Sequence, residues 1–321
     1  MNRNFFIDFL KIAMSFAVVG IHVDLMMDIN PTIGNLLVNG IFRIAVPVFF
    51  LINGYFFYDA IQKKTQRKWI KKLIFLYVFW SLIYSKLWIG IIFHGVEVGA
   101  YALSAKYASI FMILGFYHLW YLSGIIGAAL ITMAYYKKAP EQLIIVLCIL
   151  LYGFAVYMNY YLVKTDIMDS NQETSLIYKN FLFFAFPFFY LGFYINKHNY
   201  HDKITVNMLY IVAIISTATL LIESYSYQNI VSKDEGVDCY LSLLTLSVSL
   251  FILTLKTKKK NTNKNTTKYA SGIYLFHVYI LEKMQIAGIT NSIQLMLVVI
   301  ILSTLSCYIL IRITKNRPLI I

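Results

Sequence analysis

The feature that most constrains the fold of this chain is a series of long apolar runs that continues from one end of the sequence to the other. A helix needs about 20 apolar residues to cross the hydrocarbon core of a bilayer, and about ten segments meet that rule. They are 5–27, 37–58, 71–93, 112–136, 141–162, 176–195, 203–224, 239–256, 269–288 and 292–313. We therefore predict an all-α integral membrane protein, a bundle of about ten transmembrane helices.

Composition argues against a separate water-soluble part. Hydrophobic residues make up 60% of the chain and charged residues only 13%, which differs from the composition of soluble globular domains. We expect residues 1–321 to form a single transmembrane domain with no soluble domain. No small-residue cleavage site follows the first apolar run near Met27, so that run is expected to stay in the mature protein. Cysteines occur singly, and no metal site is expected.

The loops between the apolar segments alternate in charge. Those after odd-numbered segments are neutral or acidic, as in "DIMDSNQETS" and "SKDEGVD", and those after even-numbered segments are basic. Because lysine and arginine concentrate in cytoplasmic loops, the pattern predicts an even number of helices with the N and C termini cytoplasmic. Topology and contact with membrane lipid also account for the net charge of +13, so no nucleic-acid partner is expected. The largest basic cluster comprises Lys63, Lys64, Arg67, Lys68, Lys71 and Lys72.

Four polar residues share one face of the first apolar segment. They are Asp8, Lys11, Ser15 and His22. At about 100° per residue, these positions fall within a sector of about 60°. Polar groups inside a membrane span are costly and are candidates for function. Lys11 and His22 are about 16 Å apart along the axis, with Lys11 toward the cytoplasm. The helix thus presents a cation near the inside and a titratable base near the outside.

The second apolar segment carries polar residues at the same two depths. Counted from the helix centres, Arg43 lies at a depth similar to that of His22, and Asn53 at a depth similar to that of Lys11. Pro47 removes one backbone donor and is expected to kink this helix. We therefore predict an outer and an inner polar layer.

Two later segments carry further polar candidates. His118 and Trp120 belong to "HLWYL" near the outer start of the fourth segment. His277 lies near the middle of the ninth segment, and Glu282 follows it. Each is a candidate because intramembrane ionisable groups often mark functional sites.

Simpler interpretations stay open for these polar residues. Lys11 can extend its ammonium group to the inner headgroups. Arg43 can simply pair with Glu282. His118 can be an interfacial residue, and His277 can be an interhelical hydrogen-bonding group.

The order of these residues resembles that of a known family. The run "IDFLKIAMSFAVVGIH", followed by "VPVFFLINGYFFYD", is similar to the opening of the bacterial membrane acyltransferase 3 family. That opening has a basic residue, ten residues and a histidine, and then a "PxFFxxSGY"-like helix. "HLWYL" and "SGIYLFHVYIL" resemble later landmarks in the same order. The usual arginine is Lys11 here, which removes the planar fork, and the serine of "SGY" is Asn53.

The resemblance implies an enzyme that moves acyl groups, commonly acetyl from acetyl-coenzyme A (acetyl-CoA), onto hydroxyls of cell-envelope carbohydrates. Its expected partners are acyl-CoA as co-substrate and a cell-surface polysaccharide or lipid-linked sugar. The protein is expected in the bacterial cytoplasmic (inner) membrane, with no permanently bound cofactor. His22 is then the expected base. Arg43 is expected to donate to the thioester oxyanion or to tune the protonation of His22.

The remaining polar residues are expected to bind substrate. The inner ones would hold the phosphates of coenzyme A, while its flexible arm reaches outward. The expected substrate-binding residues are Lys11, Asn53, Arg67, Lys68, Lys71, Lys72, His118, Trp120, His277 and Glu282.

Two other functions have to be weighed. A transporter or permease of a small solute or amino acid fits the size, and the membrane half of amino-acid-handling proteins of the vancomycin-resistance type is similar to the same family. Transporters commonly contain internal repeats, and residues 1–160 do not convincingly match 161–321. The membrane-bound O-acyltransferase superfamily also has an intramembrane histidine, but the early position of His22 argues against it. The sequence leaves the acceptor sugar and the acyl chain length open.

Overall fold

The computed structural model describes residues 4–97, 101–115, 117–164, 175, 177–230, 237–257, 259 and 265–314. The regular elements in these ranges are helices, and no β-strand occurs among them. Within the described part of the chain, six helical segments are long and apolar enough to cross a membrane, namely Phe5–His22, Pro31–Gln62, Tyr117–Tyr135, Glu141–Tyr161, Val206–Tyr227 and Ser292–Ile313. The predicted all-α class with several apolar helices is confirmed. The total of about ten spanning helices and the cytoplasmic termini stay predictions.

Most helices follow the predicted apolar segments with shifted ends. They are α1 (Phe5–His22), α2 (Pro31–Val38), α3 (Ala45–Gln62), α4 (Gln66–Ile83), α5 (Ser85–Glu97), α6 (Tyr101–Ile113), α7 (Trp120–Tyr135), α8 (Glu141–Lys164), α9 (Phe186–His198), α10 (Tyr200–Lys203), α11 (Val206–Ile230), α12 (Ser242–Lys256), α13 (Thr266–Ile286) and α14 (Ser292–Ile313). Helices α2, α6 and α10, however, lie largely between those segments. Short turns precede three of the helices, Ile41–Ile44 before α3, Tyr117–Leu119 before α7 and Phe181–Ala185 before α9. Most of the two acidic loops lies outside the described residues.

Several predicted segments are shorter or interrupted in the structure, including the first and the third. Helix α1 ends at His22, because Asp24 and Met26 adopt positive φ angles of 51° and 67°, which a right-handed helix cannot contain. The predicted segment 71–93 is divided at Tyr84 into α4 and α5. Hydropathy reports polarity and not backbone direction, so it does not reveal either break.

Pro47 lies near the start of α3 and not in the interior of a long helix. Pro47 is the third residue of α3, which begins at Ala45. A proline is tolerated in the first turn of an α-helix, where its fixed φ suits the helix. The turn Ile41–Ile44 precedes it, and Pro47 therefore helps to begin the helix.

Two glycines let α3 and α9 cross with their backbones in contact. A Cβ atom on Gly54 would lie 1.8 Å from the carbonyl oxygen of Phe189, and one on Gly192 would lie 2.0 Å from that of Leu51. Small residues permit such close approach of membrane helices. The crossing brings the fully buried rings of Phe57 and Phe189 to a centroid distance of 5.4 Å, and it forms the centre of the bundle.

Contacts between helix termini define the two ends of the bundle. At the opposite end from His22, the side chain of Asn4 donates to the carbonyl of Thr257 at the end of α12 over 2.6 Å. We call the other end the histidine end. Helix α1 finishes there at His22, and α3, α7, α12 and α14 begin there. There Ser292, the first residue of α14, accepts a hydrogen bond from the Met26 N–H over 2.9 Å. The polar residues discussed below are placed relative to these two ends.

Candidate active site

The polar face of α1 packs along α13. The carboxylate of Asp8 accepts a hydrogen bond of 2.8 Å from the start of α13. The hydroxyl of Ser15 lies 2.9 Å from the Ala270 carbonyl, and the His22 ring lies 5.1 Å from the His277 ring between centroids. Asp8, Ser15 and His22 thus meet residues progressively later in α13, so the two helices run parallel. The polar stripe on α1 faces protein, as the cost of exposing it to lipid requires.

Three histidines meet at the histidine end. The ring centroids of His118 and His277 are 5.2 Å apart, and His277 also contacts His22. His118 and His277 are only 3% and 0% exposed, whereas His22 is half-buried at the rim. The structure therefore brings these three predicted site residues together, with His22 as the most accessible member.

A tyrosine that the sequence did not suggest contacts His22. The hydroxyl of Tyr117 lies 3.1 Å from Nδ1 of His22. Tyr117 has a φ of 50°, and Gly115 two residues earlier has a φ of 93°. A left-handed backbone is unfavourable for tyrosine, and such strain is often found at functional sites. The turn therefore holds the phenol in place against the imidazole.

The backbone of α13 fixes the orientation of His277. Its Nδ1–H donates to the carbonyl of Tyr274 over 2.6 Å, and a carbonyl can only accept, so Nε2 carries the lone pair of a neutral ring. The hydroxyl of Tyr84 donates to the Leu275 carbonyl over 2.8 Å and accepts the Tyr279 N–H at 3.2 Å. Tyr84, which lies at the break between α4 and α5, thus bridges two groups of the α13 backbone.

A cluster of charged residues lies next to the histidines. Asp238 forms an ion pair with Arg43 and accepts 3.0 Å hydrogen bonds from the Lys179 ammonium group through both carboxylate oxygens. Lys179 also lies 5.2 Å from the centroid of the Trp120 ring. The charges of Arg43 and Lys179 act on His22. We call Arg43, Lys179 and Asp238 the charged cluster.

The charged cluster keeps Asp238 ionised. Burial opposes ionisation of this carboxyl, but Lys179 and Arg43 outweigh burial and hold the pKa of Asp238 below its ordinary value. Asn159 at the end of α8 positions the loop, because its side-chain oxygen accepts the backbone N–H groups of Asp238 and Cys239 at 3.1 and 2.9 Å. The cluster is therefore built by groups from distant parts of the chain.

The alternative in which Arg43 pairs with Glu282 is wrong. Arg43 is engaged with Asp238 and donates to the side-chain oxygen of Asn39 over 2.6 Å. Glu282 is half-buried on α13, where its charge acts on Tyr84. The structure therefore separates Glu282 from Arg43.

The predicted inner residues lie away from the three histidines. The ammonium group of Lys11 is 5.2 Å from the centroid of the Phe56 ring on α3. One turn earlier on α3, the Asn53 amide donates to the Tyr121 hydroxyl over 2.8 Å. Four exposed cations occupy the start of α4 at the opposite end. They are Arg67, Lys68, Lys71 and Lys72.

Long-range contacts explain why sequence reasoning missed part of the site. Tyr117, Tyr84, Lys179 and Asp238 each act through a partner that is distant in the sequence. One usable signal was the glycine in "LGFYHL", because a glycine before polar aromatic residues indicates a turn that can aim them. Within the described ranges, no group of three histidine, cysteine, aspartate or glutamate side chains is arranged to hold a metal ion.

Comparison with known proteins gives a family and distant relatives. Residues 4–312 match the acyltransferase 3 family, a family of acyltransferase domains. An amino-acid racemase of Enterococcus faecalis is 25% identical over 294 residues, which cover 84% of this chain and 40% of the relative. A serine/alanine racemase of Enterococcus gallinarum is 24% identical over 94% of this chain and 45% of the relative. The chain thus spans less than half the length of these relatives.

No solved structure matches the chain, so the family match is what places it among known proteins. That match extends from the start of α1 into the last turn of α14 and includes all three histidines. This chain belongs to the acyltransferase 3 family of membrane acyltransferases.

Proposed function

We propose that this protein is an O-acyltransferase that moves an acyl group, most simply acetyl, from cytoplasmic acyl-CoA to a hydroxyl of a cell-envelope carbohydrate. The observation that carries the proposal is the half-buried His22 imidazole, which is held by Tyr117 and stands beside two buried histidines. Family membership supports acyl transfer, and the arrangement of His22 supplies a group that can accept a proton from a hydroxyl.

The tautomer of His22 decides whether it can act as a base. When Nδ1–H donates to the Tyr117 hydroxyl, Nε2 has a free lone pair. Nε2 then takes the proton of the acceptor hydroxyl while the hydroxyl oxygen bonds to the thioester carbon. When the carbon–sulfur bond breaks, the same proton passes to the departing sulfur. The products are an ester and the free thiol of coenzyme A, and His22 returns to its starting form.

The donor is proposed to enter from the opposite end of the bundle. The exposed cations at the start of α4 suit the phosphates of coenzyme A, since phosphates bind where basic side chains collect. Lys11 and Asn53 lie between that end and the histidines. The rise from Lys11 to His22 is about 16 Å, which is comparable to an extended pantetheine arm.

The acceptor is proposed to bind at the histidine end. The charged cluster and the Trp120 ring lie beside His22 there. Sugars present hydroxyls and apolar ring faces together, so a mixture of charged and aromatic side chains suits them. We place this end outside the cytoplasm and the protein in the cytoplasmic membrane of a bacterium, in agreement with the basic loops of the opposite end.

The proposal is tested by the mass of the surface polysaccharide. Cells that contain the native gene are compared with cells that lack it and with cells that carry His22→Ala. We expect an acetyl-sized mass increase with the native gene only, because alanine removes the base without adding polarity to the span. Polysaccharide that keeps its acetyl groups in the His22→Ala cells would contradict the role of His22.

A second candidate is uptake of an amino acid. It is favoured by the relatives, which are racemases of amino acids, including serine and alanine. Uptake of labelled serine or alanine into vesicles, measured without acetyl-CoA, distinguishes the two functions. Uptake by the native protein together with no acetyl transfer would favour the transporter.

A further inference from the structure

Two buried imidazoles beside His22 carry ring nitrogens that the described residues leave unsatisfied. Neither nitrogen of His118, nor Nε2 of His277, makes a hydrogen bond within the part of the chain that the structure describes. The carbonyl of Leu275 lies beside His118 and accepts from the Tyr84 hydroxyl, but neither nitrogen of His118 reaches it with hydrogen-bond geometry. Burying an unsatisfied polar group is costly. A ligand that binds at this place and supplies the missing partners would offset that cost.

Of the two buried imidazoles, only His118 has a proton to donate. In a neutral imidazole one nitrogen carries the proton. His277 gives its proton to the Tyr274 carbonyl through Nδ1, so its remaining nitrogen can only accept. No such bond commits His118 among the described residues. His118 therefore offers one N–H donor within the histidine group.

Arg43, the donor that the sequence predicted for the oxyanion, is engaged through both terminal nitrogens, and its Nε has no hydrogen-bond partner among the described residues. Its guanidinium group pairs with Asp238 and donates to Asn39. Releasing it would leave Asp238 with a single cationic partner, Lys179. An oxyanion donor works best when it is already in position, and His118 lies within the histidine group itself and makes no hydrogen bond through its ring among the described residues.

We propose that the N–H of His118 donates to the carbonyl oxygen of the acyl thioester, and this inference rests on the proposed function. When the acceptor hydroxyl oxygen bonds to the thioester carbon, the carbonyl electron pair moves onto the oxygen. The His118 N–H stabilises that negative charge and keeps its own proton. When the carbon–sulfur bond breaks, the carbonyl forms again, and the proton that His22 took passes to sulfur.

The surroundings of His118 hold its ring in place. The ring of Tyr84 packs edge-on against it at a centroid distance of 4.9 Å, and that of Tyr274 at 5.5 Å. The hydroxyl of Tyr274 donates to the backbone carbonyl of His118. These contacts require an aromatic ring but no ring nitrogen, so the donor can be removed while the packing stays.

The test uses two substitutions and a matched control. His118→Phe keeps an aromatic ring and removes the N–H, and His118→Gln keeps an N–H donor on a smaller group. His201→Phe makes the same chemical change in α10, which follows α9 at the opposite end. We expect His118→Phe to lower kcat by about 100- to 1,000-fold, with a much smaller change in KM for acyl-CoA. His118→Gln should retain more of the rate, and His201→Phe should be unaffected.

Difference infrared spectroscopy reads the proposed contact directly. Purified protein is mixed with acetyl-CoA labelled with carbon-13 at the carbonyl, without an acceptor. A hydrogen bond lowers the carbonyl stretching frequency, so we expect a lowered band in the native protein and in His118→Gln. In His118→Phe the band should return toward that of unbound thioester. The same lowered band in His118→Phe would overturn the proposal. That result is also expected if the His118 N–H donates to His277 instead of to the thioester.

The outcomes separate this inference from the proposed function. If the native protein transfers acetyl but the bound carbonyl band is not lowered, His118 is not the donor and the proposed function stands. If the native protein transfers nothing from acetyl-CoA, the proposed function fails and this inference fails with it. If His118→Phe transfers acetyl at the native rate, only the role of His118 is overturned.

Discussion

At the scale of single residues, chemistry at the histidine end depends on hydrogen bonds that set which nitrogen of each imidazole is free. The Tyr117 hydroxyl forms a hydrogen bond with Nδ1 of His22, and a backbone carbonyl accepts one from Nδ1 of His277. The carbonyl makes Nε2 of neutral His277 an acceptor, whereas the Tyr117 hydroxyl can donate or accept, so Nε2 of His22 is an acceptor in the tautomer whose Nδ1–H donates to Tyr117. His118 makes no hydrogen bond through either ring nitrogen among the described residues.

Tyr117→Phe tests whether the phenol orients His22. Phenylalanine keeps the ring contact of 5.0 Å between centroids and removes only the hydroxyl. We expect kcat for acyl transfer to fall by about 10- to 100-fold, the usual cost of losing an orienting partner, with KM for acyl-CoA and the unfolding temperature nearly unchanged. Steady-state kinetics of purified protein provides the measurement. A native kcat would show that the hydroxyl does not position the base.

Asp238→Asn tests the charged cluster through its dependence on pH. The native pKa of Asp238 lies below its ordinary value, so its ionised form stabilises the fold above the unfolded pKa of about 3.9, and that contribution is lost as pH falls through the folded pKa. At pH 7 we expect Asp238→Asn to lower the free energy of unfolding by about 1–3 kcal/mol. The difference from the native protein should shrink below about pH 4.

A suitable control for Asp238→Asn is Asp202→Asn, since the Asp202 side chain is 69% exposed and pairs of exposed charges contribute little to stability. Thermal unfolding in detergent at several pH values gives the comparison. Equal unfolding temperatures of native protein and Asp238→Asn at pH 7 would show that the cluster does not stabilise the histidine end.

At the scale of helices, close crossings at glycines hold the bundle together. Gly54 and Gly192 bring α3 against α9, and Gly272 brings α13 against Cys307 of α14, where an added Cβ would lie 2.3 Å from the sulfur. Helix α13 in turn carries His277 and contacts the polar face of α1. The positions of the three histidines therefore depend on how closely their helices approach.

Gly54→Ala tests the α3–α9 crossing, with Gly153→Ala as its matched control. A Cβ on Gly54 would overlap the Phe189 carbonyl, whereas one on Gly153 meets nothing within 4 Å. We expect Gly54→Ala to destabilise the protein by about 1–3 kcal/mol through overpacking. Gly153→Ala should be neutral or slightly stabilising, because alanine favours a helix. Thermal unfolding in detergent compares the two, and equal behaviour would contradict the crossing.

At the scale of the whole molecule, the two ends of the bundle are expected to serve different substrates. Neutralising Arg67, Lys68, Lys71 and Lys72 together should raise KM for acyl-CoA and weaken its dependence on salt, because exposed charges are screened by ions. Acceptor binding should not change. Cysteine labelling in vesicles must first confirm that the altered loop is still cytoplasmic. A native KM in correctly oriented protein would show that these charges serve topology alone.

The sequence revealed the class of fold and the residues of the polar face better than it revealed their neighbours. Helical periodicity placed Asp8, Ser15 and His22 on one face of α1, and in the structure that face packs on α13. Periodicity describes one helix at a time, so the pairing of Arg43 with Asp238 could not follow from it. The positive φ of Tyr117 depends on surrounding contacts rather than on local preference, and for that reason it was not predicted.

The most direct test of the central claim, that His22 drives acyl transfer from acyl-CoA to a carbohydrate hydroxyl, is radiolabelled acetyl transfer in inside-out membrane vesicles. Acetyl-CoA labelled in its acetyl group is added outside vesicles that contain native protein or His22→Ala at equal amounts. We predict that native vesicles place label on carbohydrate in an ester that mild alkali releases, and that His22→Ala vesicles place none. Equal labelling by both proteins, or no transfer by the native protein, would contradict the account.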